Sequence, residues 1–249
     1  MTNDDGVEAP GIRALAAALE SLGEVWIVAP EREQSATSHA FTLHKPLRIR
    51  ELGPRRFSCS GTPTDSVLLG VRVVVPRRPA LVVSGINAGP NLADDVSYSG
   101  TASAALEAAL LNLPGIAVSR LGFGHDRPFD TAAEVARRVV ERALGHPFPP
   151  RSFLNVNVPD RPLAELRGTR VTCLGRRSYS EDIIRNVDPR GRPYYWIGGA
   201  DVVHEDVPGS DCNAVDEGWV SITPCTTRFD LAEEADNLRA SGFESDWGG

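Results

Sequence analysis

The chain has 249 residues, and its 26 basic against 33 acidic side chains leave a formal charge of −7, which argues against nonspecific binding to nucleic-acid polymers or membrane surfaces. Apolar residues make up 41%, or about half once glycine is added, so the chain has a globular composition with a sizeable core, in one large α/β domain or two small ones. Lys45, between His44 and Pro46, is the only lysine and no glycine-rich loop precedes it, which excludes a Walker A motif, and the lack of GxGxxG removes the dinucleotide fingerprint.

Ile12, Leu15, Ala16, Leu19 and Leu22 recur at helical spacing, with Pro10 in the first turn and Gly23 as a stop, and predict a first helix over 11–22. The β-branched runs EVWIVAP (24–30), ALVVSGIN (80–87) and GIAVSR (115–120) predict buried parallel strands. Helical stretches at 63–71, 101–112 and 130–144 alternate with them, which predicts an α/β fold with a doubly wound, mainly parallel sheet. Beyond about residue 150 come strand-like runs at 153–158, 171–175 and 219–223, a hairpin within 183–199 that turns at Asp188–Gly191, and a last amphipathic helix over 231–240 before a glycine-rich tail that is expected to fray. No linker or repeat divides the chain, so one domain is expected, with a core over about 1–150 and a C-terminal part over 151–249.

Glu107 interrupts the best apolar stretch, at 101–119, so no membrane span is predicted. The opening residues carry Asp4 and Asp5 and no base, the reverse of a secretion signal, and the four scattered cysteines show no CxxC pair. The expectation is a cytoplasmic protein with reduced thiols.

Four loops carry candidate chemistry. Asn3-Asp4-Asp5-Gly6 precedes the first helix; two adjacent carboxylates there suit a hard divalent cation if Gly6 lets the chain turn, and a solvated turn with a helix cap is the plainer reading. The loop 31–39 brings hydroxyls, Ser35 among them, and His39. The segment 84–91 brings Asn87 and Gly89, and Tyr98-Ser99-Gly100-Thr101 opens an alanine-rich helix as either a phosphate cradle or an ordinary Ser/Thr cap. All four lie at carboxyl ends of predicted strands, and together they read as metal plus phosphate: phosphoester hydrolysis by a metal-activated water. An aspartyl-phosphate route ranks below it, for want of an Asp-x-Asp spacing and a suitable lysine, and no GxSxG elbow supports an acyl hydrolase.

The blocks TNDDG (2–6), APGIRAL (9–15), VAPEREQSATSH (28–39), GTPTD (61–65), VVSGINAGPNLADD (82–95), YSGTASAALE (98–107), NVNVP (155–159) and EGWVSITP (217–224) closely resemble the SurE family of stationary-phase survival proteins, nearly end to end. The resemblance implies a Rossmann-like core and metal-dependent hydrolysis of nucleoside monophosphates, with 5′-nucleotidase, 3′-nucleotidase and exopolyphosphatase activities as the options. It implies one Mg²⁺ or Mn²⁺ per subunit on Asp4, Asp5, Ser35 and Asn87, with Asp4 and Asp5 catalytic. It further implies phosphate and substrate binding by Asn3, Gly89, Ser99, Gly100 and Thr101, and a homodimer or homotetramer whose subunits exchange the 183–199 hairpin and the last helix. Members of the family carry several apolar residues ahead of the TNDDG block as a central first strand, whereas Met1 alone precedes Thr2 here. The expectation is therefore a core short of one strand or a start placed too late, and the alternative is a nucleotide-binding or regulatory relative impaired in catalysis.

Overall fold

Pro10 at the first turn and four buried side chains at helical spacing build α1 (Pro10–Leu19) in the computed structural model, which describes residues 1–179, 183–197, 202–241 and 243–244. The chain then forms β1 (Ile27–Pro30), a hairpin of β2 (Ile49–Gly53) and β3 (Arg56–Cys59), and α2 (Pro63–Leu69), which a π-helical turn prolongs to Val74. Thr62 caps α2 through Asp65 in a reciprocal capping box. Next come β4 (Val82–Ala88), α3 (Gly100–Leu110), β5 (Gly115–Arg120), α4 (Asp130–Leu144) and β6 (Ser152–Val158). The C-terminal part holds β7 (Thr169–Val171), β8 (Arg177–Tyr179), β9 (Ile183–Val187), β10 (Pro193–Ile197), β11 (Val202–His204), α5 (Asp211–Asp216), β12 (Val220–Thr226) and α6 (Ala232–Ala240).

The central sheet has the order β4-β5-β6-β12-β7, parallel except where β12 runs against β6. Leu15, Leu19, Ile116, Val118, Val156 and the α4 residues Ala136, Val139 and Val140 form the core on one face. On the other, Ala102, Ala105 and Ala109 of α3 meet Ala117 and Phe153. The helix comes so close there that a Cβ on Gly115 would stand 2.2 Å from the Ala105 carbonyl oxygen. Helices thus cover both faces, the doubly wound arrangement that the alternating runs predict.

Several expectations need correction. The strand expected from Glu24 begins at Ile27, because its partner β3 reaches back only to Arg56. The run expected over 171–175 ends its pairing with β12 at Val171, and Cys173 turns away to bridge Ser210. The β2–β3 hairpin is additional, and β1 lies in a separate sheet of order β1-β3-β2, so the candidate loops do not hang from one sheet. The two sheets are tied through the first residues: Val28 N–H donates to the Met1 carbonyl (2.9 Å), Thr2 N–H to Val83 (3.1 Å), and Gly85 N–H to Thr2 (2.9 Å). Behind Met1 the lane between β1 and β4 opens into a cavity of about 450 Å³ lined by Leu19, Val28, Val67, Val82 and Val83 among others. The Met1 ammonium lies at its edge, 2.6 Å from the Trp26 carbonyl, and burial lowers its pKa to about 5.

β9 and β10 pair in register around a turn in which Gly191 takes φ +77° and donates to the Asp188 carbonyl, and Tyr194, Tyr195 and Trp196 stand exposed. Positions 198 and 199 of the expected hairpin, and most of the glycine-rich tail, lie outside the described residues. No helix among the described residues is long and apolar enough to cross a membrane.

Candidate active site

Beyond Thr2 the chain must turn at once, because Pro30 takes the next bond: Val7 N–H donates to its carbonyl (2.8 Å). Gly6, at φ +101°, supplies that turn, and the Asn3 amide closes it on the Gly6 carbonyl (2.8 Å). Two carboxylates are thereby left at the end of the lane. Asp4 is only 4% exposed. Its backbone carbonyl accepts Gln34 N–H (2.7 Å), which draws in the loop after β1, and its side chain accepts both the N–H (3.1 Å) and the hydroxyl of Thr101.

Asp5 accepts the Ala88 N–H, and His125 Nε2 stands 3.9 Å from Oδ1, while the buried Oδ2 has no hydrogen-bond partner among the described residues. Burial raises the pKa of Asp4, against the pull of the Thr101 bonds. Burial and then the neighbouring Asp4 charge raise Asp5 to about 6, and His125 opposes that shift. Glu33 adds a further repulsion to both from a distance. Two adjacent buried carboxylates held above their ordinary range, one with an orphan oxygen, are a site that a hard cation relieves. No three His, Cys, Asp or Glu side chains converge as a ligand set among the described residues.

The other expected residues are distributed around this pair. Asn87 resumes the β4–β5 pairing after a bulge and spends its amide nitrogen on the Gly89 carbonyl (2.9 Å), so its oxygen is the atom left to offer. Ala88, next to it, is the residue bonded to Asp5. Ser35 is exposed on the loop that Gln34 ties to Asp4, and its hydroxyl donates to Glu33 (2.8 Å). Ser99 caps α3 by accepting Ala102 N–H (3.0 Å). The 98–101 segment therefore divides its labour: Ser99 is a cap, Thr101 holds Asp4, and the N–H of Gly100 at the first helical position has no intrahelical acceptor to claim it. A Cβ on Gly100 would lie 2.9 Å from the Asp4 Cβ. His39 bonds Glu107 on α3 (3.0 Å).

Three features of the site have no counterpart in the sequence reading. Glu33 charges the mouth. Asn157 and Asn155, buried on β6, grip the backbone of Asn91, whose own amide reaches Ser119 (2.8 Å), and this fixes the segment after Asn87. The signal was present in FLNVNV, where two amides interrupt a buried apolar strand and need partners. Arg120, buried at the end of β5, shapes the loop that carries His125.

The chain as a whole is similar to known proteins. Residues 1–181 match the family model described as survival protein SurE. A protein of Geobacter sulfurreducens named 5′-nucleotidase SurE is 52% identical over 224 residues, covering 90% of this chain and 86% of the relative. A Myxococcus xanthus protein of the same name is 50% identical over 250 residues, 99% of this chain and 93% of the relative. The crystal structure of the SurE protein from Aquifex aeolicus superposes with a TM-score of 0.85 at 38% identity, covering 96% and 97% of the two chains.

Proposed function

The chain belongs to the SurE family of survival proteins, and from that membership and the site geometry we propose that it is a 5′-nucleotidase, hydrolysing nucleoside monophosphates to nucleoside and phosphate. The observation that carries the reading is the buried Asp4–Asp5 pair with its unpartnered Oδ2, beside the first turn of α3. A divalent cation, Mg²⁺ or Mn²⁺ and one per subunit, suits this all-oxygen donor set, with charge from Asp4 and Asp5 and neutral oxygens from Ser35 and Asn87. Once bound, such an ion supplies positive charge for the phosphoryl oxygens and lowers the pKa of a water toward a usable nucleophile.

This chain's own groups orient the rest. Thr101 fixes the Asp4 carboxylate, and the Gly100 N–H and the dipole of α3 favour an anion in front of the helix. Asn3, Gly89 and Ser99 complete the substrate side of the site, Asn3 by holding the turn and Ser99 by capping the helix. The same phosphoester chemistry extends to 3′-nucleotides and polyphosphate chains. The exposed aromatic hairpin supports a homodimer or homotetramer, and the free cysteines support a cytoplasmic location.

Phosphate release from AMP and GMP with added Mn²⁺ tests the reading, which expects turnover that EDTA abolishes. Full activity in EDTA would remove the metal from the mechanism. Saturable AMP binding without release would leave the alternative, a nucleotide-binding or regulatory relative.

A further inference from the structure

β5 ends in a buried arginine. Arg120 is 2% exposed, and its guanidinium carbon sits 4.5 Å from the Phe129 ring centroid. One of its nitrogens is spent on a loop: Arg120 Nη2 donates to the carbonyls of Gly122 (3.3 Å) and Gly124 (2.6 Å), while Nη1 stands 3.8 Å from Asp160 Oδ1 and neither it nor Nε has a hydrogen-bond partner among the described residues. An ion pair between Arg127 and Asp160 fastens the far side of the same loop. The segment 121–128, a run of bends without regular structure, is thus pinned from below and from one end.

The pinned loop faces the site. His125 on it approaches Asp5, and the Cδ1–Cε1 edge of Phe123 lies against Gly89, so close that a Cβ on that glycine would be 3.0 Å from both ring atoms. The remainder of the phenyl ring is in solvent, for Phe123 is 77% exposed. A flat apolar ring is therefore held at the mouth, beside the segment that carries Asn87.

We propose that the loop 121–128 is the nucleobase-recognition element of this site, with Phe123 as the stacking surface and Arg120 as the residue that positions it. This rests on the nucleotidase reading, since a nucleoside monophosphate offers beyond its phosphate and ribose one large flat π-face, and an exposed phenyl is the group that takes it without demanding a particular base. Recognition of this kind tolerates all four bases and favours those with the larger ring.

The test compares AMP with ribose 5-phosphate, the same phosphoester without a base, on the Mn²⁺-loaded protein. In Phe123→Ala the ratio of kcat/KM for AMP to that for ribose 5-phosphate is expected to fall about ten-fold, the scale of one stacking contact, and Phe123→Trp restores it. Arg120→Met should lower the ratio in the same direction, and the Phe123 variants carry the test if that protein does not fold. Equal losses on both substrates, or an unaltered ratio in Phe123→Ala, would overturn the proposal. If the parent protein hydrolyses neither substrate the nucleotidase reading has failed, and AMP binding by calorimetry decides the loop separately: affinity weakened in Phe123→Ala supports it, equal affinity refutes it.

Discussion

The lane between β1 and β4 is filled at one end and open at the other. Toward the site, residues 2–7 bond to β4, β1, the loop after β1 and α3, and every turn of the chain there is fixed by more than one neighbour. Toward the opposite end, a cavity of about 450 Å³ adjoins Met1, whose amine has the Trp26 carbonyl as its hydrogen-bond acceptor. The contrast separates packing at the open end from the placement of the carboxylates at the filled one. Asp4 and Asp5 do not depend on a long strand to hold them, because Gln34, Ala88 and Thr101 reach them from other elements. The cavity forgoes packing at one end, while the carboxylates at the other keep their positions.

The comparison breaks first if the filled end is not the site. Asp4→Asn and Asp5→Asn should each lower AMP turnover about 100-fold or more and abolish Mn²⁺ binding by calorimetry, since each removes one of the two charges in a site otherwise furnished with neutral oxygens. Near-parental rates in both variants would place the metal elsewhere. The next effect comes from α3. Gly100→Val pushes a branched side chain onto Asp4, so a loss of about ten-fold or more in Mn²⁺ affinity is expected together with slower turnover. A change confined to the KM for AMP would mean that Gly100 serves the phosphate alone.

Much of this arrangement could be read from the chain. GIAVSR became β5 over the expected residues and the 130–144 periodicity became α4, because a continuous apolar run and an apolar stripe each bury in only one way. The β2–β3 hairpin stayed hidden, since IRELG exposes its charged centre and carries no alternation. In the site, the Asp pair and its turn glycine were legible as neighbours in sequence. The division of labour between Ser99 and Thr101 was not, because both are hydroxyls at a helix start and only the approach of Asp4 tells a cap from a ligand holder. The loop 121–128 was illegible for a like reason: its shape is set by an arginine at the end of an apolar strand, a place where a cation ordinarily reaches solvent.

The open end can be probed by pH. The Met1 amine has its pKa lowered from 8.0 to about 5, so the stability present above pH 8 is lost as pH falls toward 5. Asp5 is raised from 3.8 to about 6, so its contribution is present at low pH and lost as pH rises through that window. Fusing four apolar β-branched residues ahead of Met1 converts the amine to a neutral amide and offers side chains to the cavity. If two of those side chains bury, the gain is about 3 kcal/mol, or about 6–12 °C in Tm for a chain of this size, and larger at pH 5 than at pH 8. Added Mn²⁺ should show the opposite trend, stabilising more at pH 8, where it no longer competes with a proton on Asp5. A Gly-Ser extension of equal length that stabilises as much as the apolar one would show that the cavity takes no strand.

The smallest effect distinguishes the two proposed neutral ligands, Asn87 and Ser35. Asn87 is set by the β4–β5 register, by its own bond to Gly89 and by the Asn91 anchor behind it, so its oxygen is presented without further ordering. Ser35 is exposed and its hydroxyl is turned to Glu33, so it must give up that bond and reorient to reach a cation. A water can replace either oxygen, but it replaces the exposed one more cheaply, because less prepaid order is lost with it. Asn87→Ala should therefore weaken Mn²⁺ binding by about ten-fold and Ser35→Ala by less, measured by calorimetry on both variants at pH 8. The reverse order would mean that the loop after β1 closes on the ion when it binds, and that Glu33, freed from Ser35, moves with it.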